Sequence, residues 1–458
     1  MQSRVLRWER SFSQDVLRLA IPIVIQSTIM AMMFIVDNLM IGQLGEIELV
    51  GVTQANRITY FFQVSSFGIM SGSSIYMAQY WGTKDIAGVQ RTLGMGMILS
   101  LILSFLFAVP AIFCPEVLMR LFLHDPQTLK AGCDYLRVIG FTYFIQSISY
   151  LQNSALRSTE NVRLPMWGSL AGIIVNVFFN YLLIFGHFGF PRLGVTGAAI
   201  ATFMGCIAEL AIILTVSYRN RLPNAATLRA LFPRSMLRVK QFCRVVLPIM
   251  MNEVFWSLGI VIYSVAYGLM GTSTVASISI LNNVEQLASV MLRGSTHACA
   301  VLCGMAIGAK RNDDAELTAK RMLVAAMGLG IVMGIVVFLT RGFMVGLFNV
   351  SPQTAETAKK LITSYASFMW IQSAACMLIV GILRAGGDVR FSVLMDVLPV
   401  WFIGIPLVFL FGPRLGFPIY TVYLIVRAEE IIKVIVCSLR LKSNKWIHNV
   451  VEQKSKLI

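Results

Sequence analysis

Acidic residues are scarce. The 458 residues include 22 Asp and Glu against 38 Lys and Arg, and charged residues make up only 13% of the chain. A water-soluble domain of this length needs far more polar surface than that, so the soluble class is excluded. Histidine occurs four times, and the eight cysteines are scattered with no CxxC and no metal-ligand spacing. Cys299 and Cys303 lie one helical turn apart without a His or acid at zinc-site spacing, and read as small packing residues. A nucleotide-binding P-loop, HExxH and GxSxG are all absent, as is any Ser/His/acid set on loops. The expectation is therefore no enzyme, no cofactor and no resident metal. A cleavable leader is not apparent either. MQSRVLRWERSFSQDVLRLA is basic and partly amphipathic, and the apolar run after it is too long for a signal peptide. It is expected to lie along the inner membrane face.

What the chain has is apolar length. Hydrophobic residues reach 57%, with a mean hydropathy of +0.74. They fall into twelve blocks of about 20 residues or more, the length that crosses roughly 30 Å of hydrocarbon: 16–43, 52–80, 93–116, 134–155, 165–186, 195–217, 243–268, 274–306, 321–345, 357–382, 391–412 and 418–440. The net charge of +16 does not point to nucleic acid, because it is unevenly spread. With the N-terminus inside, inward segments carry 25 basic residues and outward loops 8. That distribution predicts a multi-pass protein of the cell (inner) membrane with both termini cytoplasmic, its basic loops facing anionic lipid headgroups.

The chain is also written twice. LFLHDPQT at 121–128 returns as LFNVSPQT at 347–354, an offset of 226. At that offset Pro22 matches Pro248, Gly45 matches Gly271, Asn56 matches Asn282, Gly68 matches Gly294, Gly82 matches Gly308 and Lys84 matches Lys310. Leu156-Arg157 recurs as Leu383-Arg384, and PRLG at 191–194 recurs at 413–416. Each repeat holds six spans, so both have the same orientation. The fold class predicted is an all-α polytopic membrane protein of twelve transmembrane helices. They form two six-helix lobes related by a pseudo-two-fold axis along the membrane normal. The expected parts are a lobe at 1–217, a cytoplasmic linker at 218–242 serving as the joint, a lobe at 243–440 and a basic cytoplasmic tail at 441–458. A monomer suffices for such a two-lobe design. A duplicated scaffold without transport is the alternative reading.

An ionisable side chain inside a span is a functional candidate, because it needs a partner, a cavity or a proton. Asp37 sits in MMFIVDNLMIG, about six residues from the outer end of the first span. Asn176 and Asn180 share one face of the fifth span, and Thr202 lies about seven residues into the sixth. At ~1.5 Å per residue, Asp37, Asn180 and Thr202 share a level roughly 9–11 Å below the outer boundary, with Asn176 a turn deeper. One carboxylate, two amide oxygens and a hydroxyl suit a hard monovalent cation such as Na⁺, and the same carboxylate can take H⁺ instead. The competing reading makes the amides and hydroxyl interhelical hydrogen-bonding glue.

These residues carry a family resemblance that covers nearly the whole chain. The first span with Pro22 fifteen residues before Asp37, ALRSTENVRLP, NVFFNYLLIFGHFGFPRLGVTGAAIAT and GILRAGGDVRF resemble the multidrug and toxic-compound extrusion (MATE) family, in the first half its NorM-like branch. The resemblance implies a cation site formed by Asp37, Asn176, Asn180 and Thr202. In the second half the pattern departs: the tenth-span acid position falls near Ser373, which cannot ionise. Glu253, five residues after Pro248, stands about a turn short of the NorM-like acid.

Other polar residues bear on cargo. Glu253 with Asn252 beside it and Trp256 a turn on could meet a cationic aromatic compound, and Glu285 could line the same cleft. Arg293 and His297 could instead form a buried network with Glu285. Glu429, Glu430 and Lys433 read as an ion-paired helix face, and Asp396 as a residue that snorkels or caps. Met33, with Met32 and Met70, would suit varied apolar cations. The function predicted is a secondary-active antiporter. It exports small organic, cationic drugs or metabolites in exchange for Na⁺ or H⁺ by alternating access. The alternative is a flippase for a lipid-linked oligosaccharide or lipid. That reading calls for basic residues in the cleft, and Arg57, Arg293 and Arg427 are the few candidates.

Overall fold

The computed structural model describes residues 10–232, 235–348 and 350–452. The first nine residues of the expected lead-in and the last six of the expected tail lie outside them. Among the described residues the architecture is helical throughout, apart from one isolated bridge between Gly387 and Ile447.

The main helices are α1 (Arg10–Gly42), α2 (Glu46–Gly82), α3 (Ile86–Phe113), α4 (Pro126–Ser158), α5 (Arg163–Phe185), α6 (Gly194–Arg219), α7 (Met236–Leu269), α8 (Thr272–Gly308) and α9 (Asn312–Gly346). They continue with α10 (Pro352–Arg384), α11 (Val389–Arg414), α12 (Ile419–Val426) and α13 (Ala428–Lys442). Among the described residues nine of these are long and apolar enough to cross a membrane. The other three expected spans fall on α2, α4 and the consecutive pair α12 and α13, whose sequences are more polar or shorter. Large apolar side chains such as Phe105 and Leu106 on α3 and Leu339 on α9 are exposed, which suits a lipid solvent.

Several of the repeated identities are helix starts and turns. Asp125 accepts the Thr128 N–H at 2.9 Å with Pro126 in the first turn, and Ser351 accepts the Thr354 N–H at 3.3 Å with Pro352 following. The DPQT and SPQT tetrapeptides are thus the same N-cap made twice. The backbone donor holds the exposed Asp125 carboxyl below its ordinary range. Gly45 and Gly271 precede α2 and α8 with φ of 146° and 109°, a region that glycine enters without steric cost.

By internal contact the chain forms two compact units, Ile25–Met251 and Met1–Val24 with Asn252–Ile458. Both switches fall just after a proline within a helix, Pro22 in α1 and Pro248 in α7. In the first unit a Cβ on Gly68 would sit 2.9 Å from the Met250 nitrogen; in the second, one on Gly294 would sit 3.4 Å from the Val24 nitrogen. These are repeat-related pairs, so each unit takes the opening segment of the other repeat against a glycine of its own second helix. By contact the boundaries fall at 24–25 and 251–252. The 218–242 loop is also no free joint in its described part. Asn224 Nδ2 donates to Gln152 Oε1 and Ser217 Oγ, both at 2.8 Å, and a Cβ on Gly94 would clash with the Leu231 backbone.

The expected tail is likewise packed as far as it is described. Trp446 is fully buried against Gly386, and the His448 N–H donates to Gly386 O at 2.7 Å. Arg440 Nε reaches Asp388 Oδ2 at 2.7 Å.

Candidate functional site

Small residues bring α5 and α6 together. A Cβ on Gly205 would sit 2.8 Å from Gly172 O and 3.0 Å from Asn176 Cβ, and one on Gly197 would sit 2.6 Å from Leu183 O. Backbones can approach this closely only where the side chain is missing. The approach sets Asn176 and Asn180, both fully buried, beside Thr202.

Asp37, Asn180, Asn176 and Thr202 then form one string. Asn180 Nδ2 donates to Asp37 Oδ1 at 2.6 Å and to Asn176 Oδ1 at 3.2 Å. Asn176 Nδ2 donates to Thr202 Oγ1 at 3.4 Å, and Thr202 Oγ1 donates to Ala198 O at 3.0 Å. Asn180 Oδ1 is buried and receives no hydrogen bond among the described residues. No ion pair among the described residues includes Asp37.

Asp37 and Thr202 line a cavity inside the 25–251 unit with about 1060 Å³ of empty space, its open mouth included. Met30, Met33 and Phe34 from α1 and Tyr135, Tyr143 and Tyr150 from α4 supply apolar wall, while no Lys or Arg lines it. Of the expected methionines only Met33 is in the lining. A carboxylate that sequence reasoning missed does line it: Glu209, two turns beyond Thr202 on α6. Thr202, Gly205, Cys206 and Glu209 all line the cavity, so the i, i+3, i+4, i+7 face of α6 was the available signal.

Glu253, Asp396, Glu285 and Glu430 are engaged with basic side chains. Arg384 Nη1 donates to Glu253 Oε1 at 2.7 Å and Nη2 to Asp396 Oδ2 at 3.3 Å, while Asn252 Nδ2 donates to the same Asp396 oxygen at 2.8 Å. Asp396 therefore neither snorkels nor caps; it is a member of a buried cluster. Trp256 packs against the hydrophobic core of its unit. Glu285 accepts from Gln372 Nε2 at 2.9 Å and stands 3.6 Å from Arg427 Nη2. Its partners are thus on α10 and beside α12, in place of the expected Arg293 and His297. Lys433 pairs with Glu430 at 3.2 Å, and Glu429 accepts from the Tyr263 hydroxyl at 2.8 Å. Ser373 Oγ donates to Ala326 O at 2.8 Å. Among the described residues no cluster of His, Cys, Asp and Glu could hold a metal ion.

The MatE family model matches residues 22–182 and again 248–410, once per repeat. The chain belongs to the MatE family. It is a multi-pass membrane protein of the MATE transporters. Among curated relatives, the "Uncharacterized transporter YisQ" of Bacillus subtilis is 24% identical over 426 residues, 93% of each chain. The "Probable multidrug resistance protein NorM" of Halalkalibacterium halodurans is 24% identical over 387 residues, 84% of each. A MOP-superfamily transporter of solved structure, from Pyrococcus furiosus, superposes with a TM-score of 0.84 at 19% identity, covering 94% of this chain and 96% of that one. At that identity the likeness speaks for the fold.

Proposed function

We propose that this MATE transporter is an antiporter in which Na⁺ or H⁺ occupies the Asp37 site and drives export of an organic cation. The observation that carries the reading is the partly buried Asp37 carboxylate facing two buried amides, one of whose oxygens, Asn180 Oδ1, has no donor among the described residues. A cation is the partner that a carboxylate and an orphaned amide oxygen both lack. A proton on Asp37 answers the carboxylate's half of the same need. Asn amide orientation is assigned from its bonds, and rotation of the Asn180 amide would turn its oxygen toward Asp37 and an ion between them.

Coupling follows when ion and cargo bind the two access states with different affinity. The ion and the cargo's positive charge compete for the negative field of one cavity, so entry of the ion favours departure of the cargo. Membrane location is the inner cell membrane with both termini cytoplasmic, and one chain suffices. The flippase reading finds less support, since the cavity wall contains two acids and no base to meet a diphosphate.

The deciding experiment is efflux of a fluorescent organic cation from proteoliposomes under separately imposed Na⁺ and proton gradients, with wild type and Asp37→Asn. Wild type responds to one or both gradients, and Asp37→Asn to neither while still inserting and eluting as a folded protein. Gradient-driven efflux by folded Asp37→Asn at the wild-type rate refutes the proposal.

A further inference from the structure

We propose that Glu209 is the residue that reads the positive charge of the cargo, leaving Asp37 to the coupling ion. This rests on the export of organic cations proposed above and adds where that charge sits.

Glu209 lines the same cavity as Asp37, on the same face of α6 as Thr202 but two turns further along. Its Oε1 accepts from Ser169 Oγ at 2.9 Å and from Asn153 Nδ2 at 3.1 Å. Its Oε2 receives no hydrogen bond among the described residues. The carboxylate is thus fixed by one oxygen and open at the other. Ser169 is held in turn by Gln26 Nε2 at 2.9 Å, and Gln26 Oε1 accepts from Arg157 Nη2 at 2.7 Å. Arg157 stands at the far end of that chain, and although its charge acts on Glu209 the described ion pairs include none between them. The acid is therefore held in position by its neighbours while one of its oxygens is left for a ligand.

The surrounding wall suits an aromatic or alkyl cation rather than a bare ion. Tyr135, Tyr143 and Tyr150 make the wall aromatic, and Met30 and Met33 add deformable apolar contact. Thr142 and Ser149 also belong to the cavity lining. They are 1% and 3% exposed, and neither hydroxyl has a partner among the described residues.

The test uses two probes of one shape and opposite charge, tetraphenylphosphonium and tetraphenylborate, binding at equilibrium to the full-length purified protein with no gradient. Glu209→Gln should weaken tetraphenylphosphonium roughly tenfold or more while leaving tetraphenylborate unweakened, as loss of one nearby negative charge requires. Glu209→Asp should retain the preference for the cation. Equal loss of both probes, or unchanged phosphonium binding, overturns the proposal. A second measurement needs only wild type. Carbodiimide modification of Glu209, located by peptide mass spectrometry, should be slowed by tetraphenylphosphonium and not by tetraphenylborate; no protection by the phosphonium overturns the proposal. Because binding is read without a gradient, failure of the coupling scheme would show separately, as gradient-driven efflux by Asp37→Asn.

Discussion

Arg157 and Arg384 occupy corresponding places in the two repeats and should respond very differently to removal. Arg384 is 1% exposed and stands between Glu253, 13% exposed, and Asp396, 16% exposed. Arg384→Met leaves two carboxylates without the guanidinium they share, while Asn252 still donates to Asp396. Removing one partner of a buried ion pair costs about 3–5 kcal/mol. Arg157 has a neutral partner, Gln26, and its Nε has none among the described residues. Arg157→Met forfeits a charge-assisted hydrogen bond but also relieves an incompletely satisfied buried cation, for a net cost of about 1 kcal/mol. The assay is thermal unfolding of the purified variants in one detergent, with elution profile as the check on assembly. Arg384→Met should melt well below Arg157→Met. Adding Glu253→Gln should restore part of the loss, because the second change removes a charge that the first left bare. Equal destabilisation by both arginine variants, or strict additivity in Glu253→Gln/Arg384→Met, refutes the reasoning.

Two further outcomes follow from packing. Gly205→Val should drive α6 away from Gly172 and Asn176, cost about 1–3 kcal/mol as overpacking, and abolish gradient-driven efflux in protein that still inserts. Stable protein with wild-type efflux would contradict the close approach. Trp446→Ala should cost about 3–5 kcal/mol and expose the C-terminal segment to limited proteolysis, because the ring is fully buried against Gly386. Unchanged melting would mean the segment does not pack there.

Depth counting along spans brought Asp37, Asn176, Asn180 and Thr202 together because helix rise converts residue number into height with little error. It could not find Glu209, which lies at a different level from Asp37 and shares its cavity only through the α6 face that begins at Thr202. Repeat identities located Asp125, Ser351, Gly45 and Gly271, but their purpose, capping and turning, required backbone geometry. The partners of Glu253 were illegible for a simpler reason. Arg384 lies 131 residues away, and nothing local marks which base a buried acid will meet. The exchange of opening helix segments between units was hidden for the same reason: Gly68 and Gly294 matched at the repeat offset, with no sign of which repeat supplied the segment packed on each.

The two repeats make one polar motif with different chemistry, and that difference explains where cation binding can occur. In the first, Arg157 donates to Gln26, and Gln26 to Ser169. In the second, Arg384 donates to Glu253 and Asp396, and Asn252 donates to Asp396. Ser169 and Asp396 are separated by the same 227 residues that separate Arg157 from Arg384. Placing acids inside the second motif neutralises them against its arginine. The first motif, built from an amide and a hydroxyl, spends its hydrogen bonds on orienting Glu209 and takes no ion pair with it among the described residues. A cation entering the first unit therefore meets two carboxylates, Asp37 and Glu209, neither of which is in an ion pair among the described residues. In the second it would have to displace Arg384 from Glu253 or Arg427 from Glu285. Duplication supplied two equivalent frames, and substitution at positions 169 and 396 decided which of them keeps its negative field open.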